Sequence, residues 1–269
     1  MAVDMNARVD IGRVINRTFG AIGGNFVNFL ILAALFAGAP GLISYYLVGE
    51  VQRAIMENSY GGAGAGPVWT NLGLTLLSSL ISVASSFVMV GAVSHSAVVF
   101  WNGRAASLGE SISTSLRYLL PLIGAALLIG LCCGIGFILL VVPGVILSIM
   151  WSVASPSIVM EGAGITGAMQ RSRDLTRGNR WRIFWLLVIF AVVTYILRIV
   201  ILMPLGLASA QAQANAMFSG SLLGPMMIFT LVYAMCTSIV AAAGTAALYF
   251  ELRVLKDGVS TDELAKIFE

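Results

Sequence analysis

Five arginines, Arg171, Arg173, Arg177, Arg180 and Arg182, crowd into one short stretch of the chain with Trp181 among them. A planar guanidinium makes paired hydrogen bonds to phosphoryl oxygens, so the chemistry this group offers is the holding of anionic phospholipid headgroups. The plainer alternative is topological, the arginines merely keeping their loop on the cytoplasmic side. His95 is the sole histidine and lies within an apolar run between Ser94 and Ser96. An ionisable residue there is a candidate for proton relay. No acidic residue lies deep in another run to partner it, so a hydrogen-bonded structural histidine is the expectation. Glu161 and Glu251 each close an apolar run and are expected to pair with arginines and fix the neighbouring helices. Cys132, Cys133 and Cys236 sit in apolar runs without metal-ligand spacing. No Ser-His-acid set, HExxH, GxSxG, phosphate loop or carboxylate cluster can be assembled. The residues therefore predict no catalytic site, no metal and no cofactor, and the chain is not expected to be an enzyme.

The arginines must be positioned by the segment 161–184. Wound as a helix from Ile165, it places Ile165, Ala168, Met169, Ser172, Leu175 and Thr176 on one arc, with Thr166, Gln170, Arg171, Arg173, Asp174 and Arg177 on the other. Such a helix is expected to lie flat on a bilayer with its apolar arc inserted.

The surrounding sequence agrees with a membrane setting. Hydrophobic residues make up 59% of the 269 residues and charged ones 10%, with a mean hydropathy of +0.95. An ordinary soluble fold is excluded. The net charge of +3 is small and no basic tail is present, so no nucleic-acid partner is expected. The N-terminal segment carries its charges along an amphipathic pattern and not in a short basic head, so it reads as part of the mature chain and not as a cleaved signal.

Six apolar runs, 26–48, 70–100, 119–142, 144–160, 183–204 and 224–250, are long enough to cross a hydrocarbon core that takes roughly 20 helical residues. The fourth begins at Pro143-Gly144, which predicts a tight hairpin with the third. The run Gly61 to Pro67 reads as a flexible loop, and Leu205 to Leu223, which has no ionisable group, reads as the connection between the fifth and sixth runs. With the N-terminus inside, only Arg53 and Arg198 of the basic residues fall outside, giving N-in and C-in. Trp69, Trp101, Trp181 and Trp185 mark the interfacial belts. The spans carry small-residue faces, Ser78, Ser82, Ser85 and Ser86 with Ala84 and Gly91, and Ala243, Gly244 and Ala247, which suit close packing. They show no broken helices of the kind that build solute sites.

The segments before each pair of runs share a pattern. Ile11, Ile15 and Thr18 match Leu108, Ile112 and Ser115, and these match Ile165, Met169 and Ser172. One helical face is thereby specified three times, predicting a single membrane domain (1–269) of three repeats, 7–101, 104–160 and 162–251, each an interfacial helix followed by a transmembrane hairpin. Ser107 with Glu110 and Ser260 with Glu263 form capping boxes. The second opens an expected C-terminal cytoplasmic helix over 259–269.

Pro143-Gly144, Trp151, Pro156, Glu161, the run Ala168 to Ser172, the run Leu175 to Trp181 and the tail Tyr249 to Gly258 together resemble the membrane domain found with glycerophosphoryl diester phosphodiesterases and in many free-standing bacterial proteins. The resemblance implies a helical integral membrane domain of the bacterial cytoplasmic membrane. It carries over no catalysis, since the phosphodiesterase of the fused members is a separate soluble domain that this chain is not expected to contain. The functional expectation is an all-α, six-span scaffold or accessory subunit that contacts another integral membrane protein and binds anionic phospholipid. The alternative is a lipid-handling or small-solute transporter.

Overall fold

The computed structural model describes residues 9–44, 46–47, 68–101, 107–219 and 223–258. The expected loop Gly61 to Pro67, the basic residues Arg8, Arg53, Arg104 and Lys266, and the expected helix over 259–269 lie outside them. Among the described residues the chain is helical throughout, with no strand. The helices are α1 (Ile11–Gly24), α2 (Phe26–Ala33, continuing through a π-helical turn Ala34–Gly38), α3 (Val68–Trp101), α4 (Leu108–Arg117), α5 (Leu119–Leu139), α6 (Val141–Met150), α7 (Ala154–Glu161), α8 (Ile165–Thr176), α9 (Arg180–Ser219) and α10 (Leu223–Asp257).

Six segments are long and apolar enough to cross a membrane: Phe26–Ser44, Leu72–Trp101, Leu119–Leu139, Val141–Glu161, Arg180–Ile201 and Met227–Asp257. These coincide with the six apolar runs, because a helix that satisfies every backbone group internally is what an apolar run must form in hydrocarbon. Their lipid-facing sides are apolar and open, as at Leu131, Ile138, Ile199 and Ile228.

The even-numbered spans form the centre. α3 packs most closely on α10 and next on α7, while α2, α5 and α9 lie outside this trio. Small residues permit the approach. A Cβ on Gly91 of α3 would sit 2.9 Å from Val159 of α7, and one on Gly244 of α10 would sit 2.7 Å from the Phe190 ring of α9. Ala243 and Ala247 are both fully buried, whereas Ser82 and Ser86 of the expected small face on α3 are exposed.

The connection between the fifth and sixth spans is largely helical, and the one between the third and fourth is a tight hairpin. The first of these is helical from Leu205 to Ser219, as a continuation of α9. Its sequence, rich in Ala and Leu with two Gln, has high helix propensity, and lack of charge alone does not end a helix. The third and fourth spans do form a tight hairpin, but the fourth begins earlier, at Val141. A single extended residue, Leu140, makes the turn. Pro143 falls in the first helical turn, where a missing N–H leaves no bond unmade. Gly136 and Gly144 face each other across the hairpin, a Cβ on the first lying 3.1 Å from the Cα of the second.

The fourth span is broken, against the expectation of unbroken spans. α6 ends at Met150, Trp151–Val153 form a turn, and α7 starts at Ala154. Pro156 accounts for the position, because its ring removes the N–H that would have met the Ser152 carbonyl and crowds that carbonyl.

Candidate basic cleft beside the broken span

α8 is amphipathic as its sequence demands, but its apolar arc lies on the bundle. Ala168, Ser172, Leu175 and Thr176 are buried, and the Ile165 Cδ1 atom enters the space left by Gly124 of α5, 2.4 Å from where a Cβ would be. The expectation that this arc inserts into lipid is thereby corrected. Periodicity reports that one face leaves water and not whether protein or lipid covers it. α1 and α4 behave alike: Val14, Thr18 and Ala21 are buried in one, Ser111 and Ser115 in the other. Asp10 caps α1 and Ser107 caps α4, each accepting the N–H three residues on at 3.2 Å.

Ser172 ties α8 to the break. Its Oγ donates to the Met150 carbonyl at 2.8 Å and accepts the Val153 N–H at 3.3 Å. The Thr176 hydroxyl reaches the same carbonyl at 3.4 Å. One side chain thus meets a carbonyl and an amide that the interrupted ladder leaves open.

Both expected glutamate pairings are present. Glu161 accepts two hydrogen bonds from Arg171 Nε, at 3.0 and 2.9 Å, and one from the Tyr249 hydroxyl at 2.8 Å. Arg171 also bonds Asp257, so α8 is clamped to the ends of α7 and α10. Burial acts to lower the Arg171 pKa, but its bonds to Asp257 and Glu161 outweigh this and raise it. Glu251 is fully buried on α10 and takes Arg13 at 3.0 Å and Arg17 at 2.7 Å from α1. Arg17 also lies 4.6 Å over the Phe250 ring. Desolvation pulls the Arg17 pKa below its ordinary value, against Glu251, which raises it.

Arg182 faces inward. Its Nη1 donates to the Val9 carbonyl at 2.8 Å, while the Val9 N–H donates to Asn179 Oδ1 at 3.2 Å. The segment before α1 is pinned in this way to the turn between α8 and α9, where Gly178 takes a φ of +89°.

Of the six expected headgroup residues, the remaining four converge. Arg173, Arg177, Arg180 and Trp181 line a cleft of about 900 Å³ with Thr166, Met169, Gln170, Asp174, Leu128, Met150 and Trp151. Its outer wall is the polar arc of α8 and the start of α9, and its floor is the break in the fourth span. Arg180 Nε is buried in the protein without a hydrogen-bond partner. Trp181 is 70% exposed, stacks on Phe184 at 5.4 Å and meets Trp185 edge-on at 6.1 Å. A positively charged mouth thus adjoins an aromatic and thioether floor. Leu128, Met150 and Trp151 come from distant parts of the chain, so no local signal marked them as members.

His95 is buried, with Nδ1 3.2 Å from Ser111 Oγ, and Ser111 is bonded to Ser96 at 2.7 Å. A carboxylate does lie near: Glu110 of α4 places Oε1 3.9 Å from His95 Nε2. This acid sits on a surface helix and not deep in another span, so the apolar runs alone do not reveal it. His95 lies outside the cleft lining. No group of three or more His, Cys, Asp or Glu among the described residues could hold a metal ion.

Six apolar helices around a core of even-numbered spans, with amphipathic helices ion-paired to the span ends, define a multi-pass helical membrane protein. The chain belongs to the family described as Domain of unknown function (DUF7847), whose model matches residues 5–252. No curated protein matches the chain, and no solved structure matches it.

Proposed function

We propose that this protein works by binding and not by turnover, as a membrane scaffold or accessory subunit that holds anionic phospholipid in the basic cleft and presents its lipid-facing helices to another integral membrane protein. The observation that carries this reading is the convergence of Arg173, Arg177, Arg180 and Trp181 on one cleft floored by Leu128, Met150 and Trp151. Guanidinium suits phosphate oxygens, and the apolar floor suits the first carbons of an acyl chain. The resemblance to the phosphodiesterase-associated membrane domain belongs to the same reading, as a free-standing helical domain of the bacterial cytoplasmic membrane.

Within this reading the chain is three repeats of surface helix plus hairpin, with both termini in the cytoplasm. Burial supports the repeat: residues three and seven positions after Ile11, Leu108 and Ile165 are buried in all three surface helices. The excess of basic residues on one side supports the orientation.

A second reading, lipid handling, draws on one observation. The cleft adjoins the break at Trp151–Val153, and interrupted helices are a recurrent way to build a path through a membrane domain. Purification in mild detergent, with mass spectrometry of all retained proteins and lipids, separates the two. A stoichiometric protein partner together with anionic lipid supports the scaffold. Tightly held lipid with no protein partner supports lipid handling, and retention of neither removes both.

A further inference from the structure

We propose that the cleft takes a lipid whose headgroup is a phosphate monoester, in preference to the phosphodiester headgroups of ordinary anionic phospholipids. The inference rests on the anionic-lipid reading and narrows it. Internal bonds divide the five arginines: Arg171 is taken up by Glu161 and Asp257, and Arg182 by the Val9 carbonyl. Among the described residues the guanidinium groups of Arg173, Arg177 and Arg180 make no hydrogen bond or ion pair with protein, and all three line the cleft. Asp174 is the one carboxylate in that lining, so three positive charges less one negative leave +2.

Charge and shape then select the same headgroup. A phosphate monoester carries about −1.5 to −2 at neutral pH and offers three terminal oxygens, one for each guanidinium. A phosphodiester carries a single charge and two free oxygens, so it leaves one positive charge unmatched. The lining of Leu128, Met150, Trp151 and Met169, beside the exposed apolar surface of the third and fifth spans, argues for a lipid and not a soluble phosphate ester. Gln170 and Thr166 add neutral donors at the rim.

The test uses full-length protein reconstituted in phosphatidylcholine vesicles doped with either phosphatidate or phosphatidylglycerol, the latter at twice the mole fraction to equalise surface charge. Lipid retained through mild-detergent extraction is counted at pH 7.5 and pH 5. Arginine stays charged throughout, whereas the second monoester ionisation lies near pH 6. Phosphatidate is expected to be retained about fivefold or more over phosphatidylglycerol at pH 7.5, with most of that advantage lost at pH 5. Arg177→Gln, on an exposed side chain, is expected to abolish the preference, and Asp174→Asn to improve retention of phosphatidylglycerol. Equal retention of both lipids at pH 7.5 would overturn the monoester assignment and leave the anionic-lipid reading intact. Retention of neither overturns both. Displacement of phosphatidate by millimolar glycerol phosphate overturns the assignment to a lipid.

Discussion

Ser172 accepts the Val153 N–H at 3.3 Å, and the same hydroxyl donates to the Met150 carbonyl at 2.8 Å, so a surface helix completes the backbone bonding of a broken span. The break and α8 are therefore one structural unit. Whatever moves α8 also unsatisfies the fourth span.

Ser172→Ala is expected to destabilise the protein by about 1 to 3 kcal/mol, because Val153 N–H is left buried without a partner. Thr176 lies 3.4 Å from the Met150 carbonyl and can take over only that half of the bonding. Thermal unfolding in detergent measures the loss, and a variant as stable as the wild type would show that Ser172 merely fills space.

The two glutamates differ in burial, so their variants should differ in effect. Glu251 is 1% exposed at its side chain and Glu161 is 20% exposed. Glu251→Gln is expected to cost about 2 to 3 kcal/mol, below the full value for breaking a buried pair because Arg13 is half in solvent. Glu161→Gln should cost about 1 kcal/mol. Limited proteolysis should cut within α1 first in the Glu251 variant. Equal protection of α1 in both variants would contradict the assignment.

Gly124→Leu is expected to push α8 off α5, since even a Cβ would overlap the Ile165 side chain. Overpacking of this kind costs about 1 to 3 kcal/mol. Phospholipid retention should fall with stability, because α8 forms the cleft wall. An unchanged melting temperature with unchanged lipid retention would show that α8 is not seated on Gly124 in the membrane.

Much of this fold is legible in the sequence, and the limits have physical causes. Hydropathy locates the six spans because a membrane helix needs a long apolar run and little else. It locates the end of the fifth span but not the end of that helix, because the Ala- and Gln-rich stretch after Leu207 is too polar to span yet continues the helix to Ser219. The break in the fourth span, against the unbroken spans expected, arises from Pro156 and is held by Ser172, whose role only tertiary contact reveals. Glu161 and Arg171 lie close enough in sequence to be paired by eye. Asp257, the other partner of Arg171, lies 86 residues away. For the same reason the arginine cluster is visible as a cluster, while its division into clamped and free members is not.

The proposed orientation can be checked by labelling single cysteines in a background lacking Cys132, Cys133 and Cys236. A membrane-impermeant maleimide applied from outside should reach Gly64→Cys and leave Arg177→Cys unlabelled until the membrane is opened. Labelling of Arg177→Cys from outside would reverse the topology and move the cleft to the other face.

The central claim, that Arg173, Arg177 and Arg180 hold anionic lipid, is tested most directly by measuring lipid retention in the triple Arg→Gln variant. Each basic residue near an anionic surface contributes about 1 kcal/mol, so retention should weaken by about 3 kcal/mol if the three act independently. Fold and insertion should survive, since the Arg171 clamp and the Arg182 bond to Val9 remain in place. A folded triple variant that has lost anionic lipid is the predicted result. A folded triple variant that keeps it at the wild-type level would contradict the account.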